Sequence, residues 1–129
     1  MAQTILIADD NSAIRKRLRA LFEAEGTYEI CGEASNGLEA IDLAETCRPD
    51  LIILDLSMPV MDGLSAATKI KEQMPNVPII LFTQYADHGT HLFGRGPAVD
   101  GIVSKNDSTE LMRTVKSLIP RSRRAGAKG

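Results

Sequence analysis

Five short apolar runs alternate along the chain with segments that have the spacing of helices. In the intervening segments apolar residues recur every three or four positions, which is the pattern of a helix with one buried face. Crossovers of this length connect neighbouring parallel strands. The alternation therefore predicts an α/β fold, a doubly wound five-stranded parallel sheet with helices on both faces. The predicted strands are residues 4–8, 28–34, 51–54, 78–82 and 101–104.

The predicted helices begin at residues that cap helices well. An Asn or Asp side chain before the first turn accepts hydrogen bonds from amides that have no partner within the helix. Asn36 is followed three residues later by Glu39, and Asp107 by Glu110, which predicts a capping box in each case. The predicted start residues are Asn11, Asn36, Asp62 or Gly63, and Asp107.

Three helices carry expectations about their surroundings. Leu38, Ile41 and Ala44 of the second helix follow helical spacing and are predicted to face the core. The fourth helical pattern, residues 84–97, contains three glycines and a proline, so the helix predicted there is short. The basic residues at positions 15–19 of the first helix are interpreted as a solvated face.

Length and composition indicate one ordinary globular domain. The chain has 129 residues, a net charge of -2, 25% charged and 43% hydrophobic residues, which gives no reason to expect binding to nucleic acid or membrane. No apolar run approaches the roughly 20 residues that span a bilayer, and no signal peptide is apparent, so a cytoplasmic location is expected. Cys31 and Cys47 lack metal-ligand spacing and are predicted to be reduced, buried thiols.

Polar residues follow four of the five predicted strands. Asp9 and Asp10 follow the first strand, Asp55 the third, Thr83 the fourth and Lys105 the fifth. In the flavodoxin-like strand order 2-1-3-4-5, the carboxyl ends of the first and third strands open into one crevice. The three acids are therefore expected to meet there, while Thr83 and Lys105 approach from one side.

Three carboxylates in one crevice repel each other unless a cation lies between them. Mg2+ fits these residues better than Ca2+, because it binds through one or two carboxylates and keeps several waters. No His or Cys has the spacing of a zinc site. A lysine and a threonine hydroxyl nearby suit the oxygens of a phosphoryl group. The pattern predicts Mg2+-dependent phosphoryl transfer with Asp55 as nucleophile and an aspartyl phosphate as product.

The donor is expected to be a phosphorylated group on another molecule, because the sequence has neither a Walker loop nor a glycine-rich dinucleotide motif. At this point the residues resemble the receiver domain of bacterial two-component response regulators. The shared features are the acidic pair, the DLSMPVMDG sequence that begins at Asp55, and the later Thr83 and Lys105. The resemblance covers about residues 3–120, and the basic segment 121–129 is predicted to be a disordered tail.

The resemblance implies roles for individual residues. Asp55 would accept phosphate from the phosphohistidine of a sensor histidine kinase or phosphotransfer protein. Thr83 and Lys105 would report phosphorylation to a face built from the fourth helix, fifth strand and fifth helix, which is also the face expected for any homodimer. In the family the first helix also docks on the kinase. The implied ligands of Mg2+ are Asp10 directly, Asp9 largely through a water, Asp55, and the backbone carbonyl of Ser57.

Alternatives remain at this stage. Ile102 lies where receivers usually have a switching Tyr or Phe. An aspartate-nucleophile phosphatase of the haloacid dehalogenase kind would share several residues, but it usually has a second Asp at the position of Ser57. A phosphorylation-independent interaction module would ordinarily lose an acid or the lysine.

The chain is not expected to be an enzyme, because the only reactions it would catalyse are its own phosphorylation and dephosphorylation. Its output is either that of a single-domain regulator or that of a longer helix-turn-helix transcription factor; DNA binding is not expected of these 129 residues.

Overall fold

The computed structural model describes residues 2–84 and 99–120 of the chain. Each predicted strand is found within one residue of its expected bounds. The last helix is numbered α4 and is the fifth helix of the predicted order. The elements are β1 (Gln3–Ala8), α1 (Ser12–Glu25), β2 (Tyr28–Ala34), α2 (Gly37–Cys47), β3 (Leu51–Leu54), α3 (Gly63–Gln73), β4 (Ile79–Thr83), β5 (Gly101–Ser104) and α4 (Ser108–Leu118).

The five strands form one parallel sheet in the order β2-β1-β3-β4-β5, which confirms the predicted flavodoxin-like arrangement. β3 lies at the centre, where Leu54 pairs with Ala8 of β1 on one side and with Leu81 of β4 on the other. The order reverses between β1 and β3, so their carboxyl ends lie side by side without a helix between them. This edge of the sheet is where ligands bind in open α/β folds.

Side chains of the sheet alternate between two apolar clusters, one on each face. In β3, Ile52 and Leu54 contact one cluster, whereas Leu51 and Ile53 contact the other. Because both faces are buried, the central strands are continuous apolar runs rather than alternating ones. The helical residues that complete the first cluster are Ala40, Ala44, Ala66, Ala67 and Ile70, and those of the second are Leu18, Phe22, Leu111 and Val115.

Four cap residues accept hydrogen bonds from the first turn of their helices, as predicted. In a capping box the Glu39 carboxylate would accept from the amide of the cap residue Asn36. It accepts instead from the amide and hydroxyl of Ser35, the preceding residue, at 2.7 and 2.9 Å. Glu110 pairs with Arg113 of its own helix. The observed caps are Asn11 for α1, Asn36 for α2, Asp62 for α3 and Asp107 for α4.

The prediction that Leu38 faces the core is wrong, because its side chain is 48% exposed. The buried residues of α2 are instead Gly37, Ala40 and Ala44. Gly37 donates its amide to the carbonyl of Met61 at 3.1 Å, and a Cβ at this position would overlap that carbonyl. The close approach of α2 to the chain before α3 therefore puts the glycine inward and turns its neighbour outward.

Cys31 and Cys47 are half-buried rather than fully buried. The thiol of Cys47 donates to the carbonyl of Cys31 at 3.1 Å. Burial, together with the neighbouring Cys47 thiol, raises the pKa of Cys31 to about 12. Cys31 is therefore a protonated thiol at neutral pH. Neither cysteine is in a disulfide, which agrees with the reduced cysteines predicted from the sequence.

The predicted fourth helix lies outside the described residues from position 85 onward, and the predicted tail at 121–129 lies outside them too. Within the ranges 2–84 and 99–120, no helix has the length and apolar character needed to cross a membrane.

Replacement of two helical leucines by alanine separates buried from exposed positions. Leu111 is 0% exposed, so Leu111→Ala is expected to lower the free energy of unfolding by about 3 kcal/mol through lost burial and a cavity. Leu38→Ala, the same substitution at an exposed helical site, is expected to cost less than about 1 kcal/mol. Urea denaturation measures both values. Equal losses would contradict the observed orientation of α2.

Candidate functional site

Backbone hydrogen bonds extend the sheet by one residue beyond three of its strands. The amide of Asp55 donates to the carbonyl of Ala8 at 2.9 Å, and the amide of Asp9 donates to the carbonyl of Ala34 at 3.0 Å. The amide of Lys105 likewise donates to the carbonyl of Thr83 at 3.0 Å. The polar residues after these strands are thus fixed by the sheet itself and not by a loose loop.

The acids of β1 and β3 converge as the sequence predicts. One carboxylate oxygen from each of Asp9, Asp10 and Asp55 lies within 4.8 Å of the others. Asp9 and Asp55 are only 1% and 5% exposed, whereas Asp10 is open to solvent. Such a cluster is electrostatically costly, because like charges at this separation in a partly buried site repel strongly.

Lys105 lies against two of these acids. Its ammonium Nζ is 2.8 Å from Asp9 Oδ2 and 3.2 Å from Asp55 Oδ1. Burial alone would lower the pKa of Lys105, but the hydrogen bond to Asp9 and the charges of both acids raise it above its ordinary value. Burial and the charge of Asp9 raise the pKa of Asp55, although Lys105 opposes this. The nearby ammonium therefore favours the ionised form of Asp55.

The residues fit a divalent cation. Three carboxylates and one ammonium carry a formal net charge of -2 at the edge of the sheet. All the available ligand atoms are oxygens, and the exposed Asp10 leaves one side open to water. Mg2+ prefers this combination of a few carboxylates with several retained waters.

A small cavity of about 260 Å³ lies above the acids. Every residue that the sequence singled out for this chemistry except Asp9 lines it. Two further residues line the cavity but were not predicted to belong to the site. Asn11 was predicted only as a helix cap. Gln84 directly follows Thr83, and this position was the signal that could have identified it. The lining residues are Asp10, Asn11, Asp55, Ser57, Thr83, Gln84 and Lys105.

The loop after Asp55 depends on a glycine. Gly63 donates its amide to the carbonyl of Leu56 at 2.8 Å, and a Cβ on Gly63 would overlap the carbonyl oxygen of Asp55. Val60, in the same loop, has a φ of 69°, a left-handed conformation that is strained for a β-branched residue. The backbone of this loop is consequently folded back tightly on Asp55.

The arginines of α1 do not form a simple solvated face. Arg15 donates to the carbonyl of Asp9 at 2.6 Å, and Arg17 donates to the carbonyl of Lys105 at 3.2 Å. Arg15 and Arg19 also pair with separate oxygens of Glu33, at 3.1 and 2.7 Å. Burial would raise the pKa of Glu33, but the hydrogen bonds and charges of Arg19 and Arg15 lower it. The first helix is thus bonded to both sides of the acidic crevice.

Comparison with known families agrees with this geometry. A family model described as the response regulator receiver domain matches residues 5–116. The chain belongs to this family. The receiver's strand order and acidic crevice are accordingly those of a flavodoxin-like domain of two-component systems.

Individual relatives extend the comparison. The receiver is 47% identical over 83 residues to the uncharacterized transcriptional regulatory protein YhcZ of Bacillus subtilis, covering 64% of this chain and 39% of that protein. It is 40% identical over 89 residues to a protein-glutamate methylesterase/protein-glutamine glutaminase of Pseudoalteromonas atlantica, covering 69% of this chain and 23% of that one. The chain therefore spans well under half the length of these two curated relatives.

Among solved structures, the receiver is similar to the response regulator protein TrrA from Thermotoga maritima, which was solved in complex with Mg(2+)-BeF. The TM-score is 0.80 at 37% identity, and the match covers 91% of this chain and 99% of that one. A LuxR-family DNA-binding response regulator from Staphylococcus aureus matches with a TM-score of 0.81 at 30% identity, over 90% of this chain and 98% of that one.

Replacement of Gly63 by alanine should destabilise the receiver. Ala in a first helical turn would ordinarily be favourable, since it restricts the unfolded chain more than Gly does. Here its Cβ collides with the backbone of Asp55, so Gly63→Ala is expected to lower the free energy of unfolding by about 3 kcal/mol. Urea denaturation measures this value.

Gly101→Ala is the matched control, because its Cβ would meet side-chain atoms rather than backbone: a methyl of Thr114 at 3.2 Å and a carbon of Ile80 at 3.9 Å. A neutral or stabilising effect of Gly63→Ala would show that the loop does not need its tight approach to Asp55.

The ion pairs of Glu33 with Arg15 and Arg19 predict that the free energy of unfolding depends on pH. The pKa of Glu33 is below its ordinary value of 4.5 in the folded chain, so ionised Glu33 stabilises the fold above that pH. The contribution disappears as pH falls through the lowered pKa. Glu33→Gln is therefore expected to cost about 1 kcal/mol at neutral pH, and the difference from the unsubstituted chain should shrink in acid.

Denaturant unfolding between about pH 7 and pH 3 measures this dependence. Glu29→Gln, an exposed change in the same strand, serves as control. A cost for Glu33→Gln that stays constant down to the lowest pH would rule out the ionic contribution.

Proposed function

We propose that this chain is the phosphoacceptor of a two-component phosphorelay. In this proposal Asp55 takes a phosphoryl group from the phosphohistidine of a sensor histidine kinase or phosphotransfer protein, in a Mg2+-dependent step. The observation that carries the proposal is the convergence of three carboxylates, which follow β1 and β3, at a cavity that Lys105 also lines. Membership of the receiver family supports it.

The chemistry requires one bond to form and one to break. A carboxylate oxygen of Asp55 forms a bond to phosphorus while the P–N bond of the phosphohistidine breaks. The electron pair of that bond stays on the imidazole nitrogen, which takes up a proton from solvent so that the donor histidine leaves as neutral imidazole. Asp55 must be ionised to attack, and the contact with Lys105 favours that state. The aspartyl phosphate is the product.

The proposed metal ligands are Asp9, Asp10, Asp55 and the backbone carbonyl of Ser57. Mg2+, when bound, would neutralise the charge that accumulates between the acids and the phosphoryl oxygens. Lys105 is already within 3.2 Å of Asp55, so a small movement would let its ammonium bind a phosphoryl oxygen. Thr83 is buried at the cavity wall and would supply a hydroxyl donor.

The proposal places the output on the face that includes β5 and α4. Thr83 and Lys105 are joined by a backbone hydrogen bond, and Thr83 pairs with Ser104 in the sheet. Movement of either toward a phosphoryl group would therefore shift β5. Ile102 is partly buried against the apolar cluster of α2 and α3, so in this chain the response would pass through packing rather than through an aromatic ring.

The same proposal includes several broader expectations. The receiver occupies about residues 3–120, works in the cytoplasm, and forms any homodimer through the output face. Its catalysis is limited to its own phosphorylation and dephosphorylation. Relatives include proteins named as transcriptional regulators and as methylesterases, so family membership alone assigns no single output.

Incubation with acetyl phosphate and Mg2+ tests the proposal. The unsubstituted chain is expected to gain one phosphoryl group, detected by intact-protein mass spectrometry, and to lose the label when Mg2+ is removed with a chelator. Asp55→Asn should abolish labelling, because the amide is a poor nucleophile. Asp42→Asn, at an exposed position of α2 away from the crevice, should label normally.

Two outcomes would contradict the proposal. Continuous release of inorganic phosphate in large excess over protein would indicate a phosphatase. Absence of labelling from both acetyl phosphate and a phosphorylated histidine donor, in a folded protein, would indicate an interaction module that keeps only the fold.

A further inference from the structure

We propose that Arg15 is a positioning residue, which holds Asp9 in the orientation that the metal site requires. The inference rests on the proposed function, since it concerns the Mg2+ ligands. It goes beyond that function because it assigns a role to a residue outside the cavity. The observation is a hydrogen bond of 2.6 Å from Arg15 Nη1 to the main-chain carbonyl of Asp9.

Asp9 is bonded at both ends of its backbone and at both carboxylate oxygens. Its amide donates to Ala34, and its carbonyl accepts from Arg15. Oδ1 accepts from the amide of Asn11 at 2.9 Å, and Oδ2 contacts the ammonium of Lys105 at 2.8 Å. Arg15 is the contact that fixes the carbonyl end, where the chain leaves the sheet and turns toward Asp10.

Arg15 is itself held in place. Its Nε donates to Glu33 Oε1 at 3.1 Å, and its side chain is only 20% exposed. Glu33 lies in β2 directly before Ala34, whose carbonyl receives the amide of Asp9. The guanidinium therefore bridges β2 and the residue that follows β1, and its planar donors serve both partners at once.

Arg19 provides a matched comparison within the same helix. It pairs with the other carboxylate oxygen of Glu33 at 2.7 Å, and the structure records no bond from it to Asp9. Loss of either arginine removes one positive charge and one bond to Glu33. Only loss of Arg15 also frees the carbonyl of Asp9.

Electrostatics and positioning predict opposite effects on cation binding. Removal of a positive charge near the acids should by itself strengthen binding of Mg2+. Loss of an outer residue that orients a ligand should weaken binding, typically by about 10-fold or more. The sign of the change in affinity therefore separates the two roles.

Calorimetric titration with Mg2+ alone tests the inference on four proteins: the unsubstituted chain, Arg15→Met, Arg15→Lys and Arg19→Met. Arg15→Met is expected to raise the Kd for Mg2+ on the order of 10-fold. Arg19→Met should change it by less than about twofold, because the bond to Asp9 is intact. Arg15→Lys keeps the charge and a hydrogen-bond donor but loses the planar group that serves both Glu33 and Asp9, so an intermediate Kd is expected. Urea denaturation without metal shows whether all four proteins are folded.

A second measurement needs no metal. Amide exchange of Asn11, followed by NMR in metal-free protein, reports the bond to Asp9 Oδ1. Exchange should be faster in Arg15→Met than in Arg19→Met. Equal exchange rates, or Mg2+ binding that is unchanged or tighter in Arg15→Met, would overturn the positioning role. Absence of Mg2+ binding in the folded, unsubstituted chain would instead refute the proposed function, and the exchange rates would still decide whether Arg15 orients Asp9.

Discussion

The structure depends on the close approach of two buried acids at the ends of adjacent parallel strands. Asp9 and Asp55 are held there by backbone hydrogen bonds to Ala34 and Ala8, which belong to the sheet and cannot relax without breaking it. Repulsion between the two carboxylates is therefore built into the fold, and Lys105 only partly offsets it. Burial of apolar side chains on both faces of β3 stabilises the fold and offsets the free-energy cost of this repulsion.

The first helix has a larger part in this arrangement than its amphipathic pattern indicates. Its apolar face contributes Leu18 and Phe22 to the core, while Arg15 and Arg17 bond the main chain on opposite sides of the crevice. The same helix thus packs against the sheet and braces the two loops between which Asp55 lies. Changes in α1 are coupled through these bonds to the geometry of the acids.

The fold and the convergence of site residues were predictable from the sequence, whereas their supporting contacts were not. The apolar run Leu51–Leu54 and the acids that follow strands are local signals, and parallel topology brings them together. The exposure of Leu38 follows from the contact between Gly37 and Met61, which no periodicity encodes. The bond from Arg15 to a backbone carbonyl is likewise invisible in a pattern of side-chain types.

The register of β1 and β3 has a consequence for how the chain acquires its chemistry. Asp9 and Asp55 become neighbours only when Ala8 and Leu54 are paired across the sheet, and two helices and two strands separate them along the chain. No local fragment can hold the acids together. A cation that binds this crevice would consequently recognise the paired β1 and β3, and by mass action would favour the native chain over every intermediate in which these two strands are not yet paired.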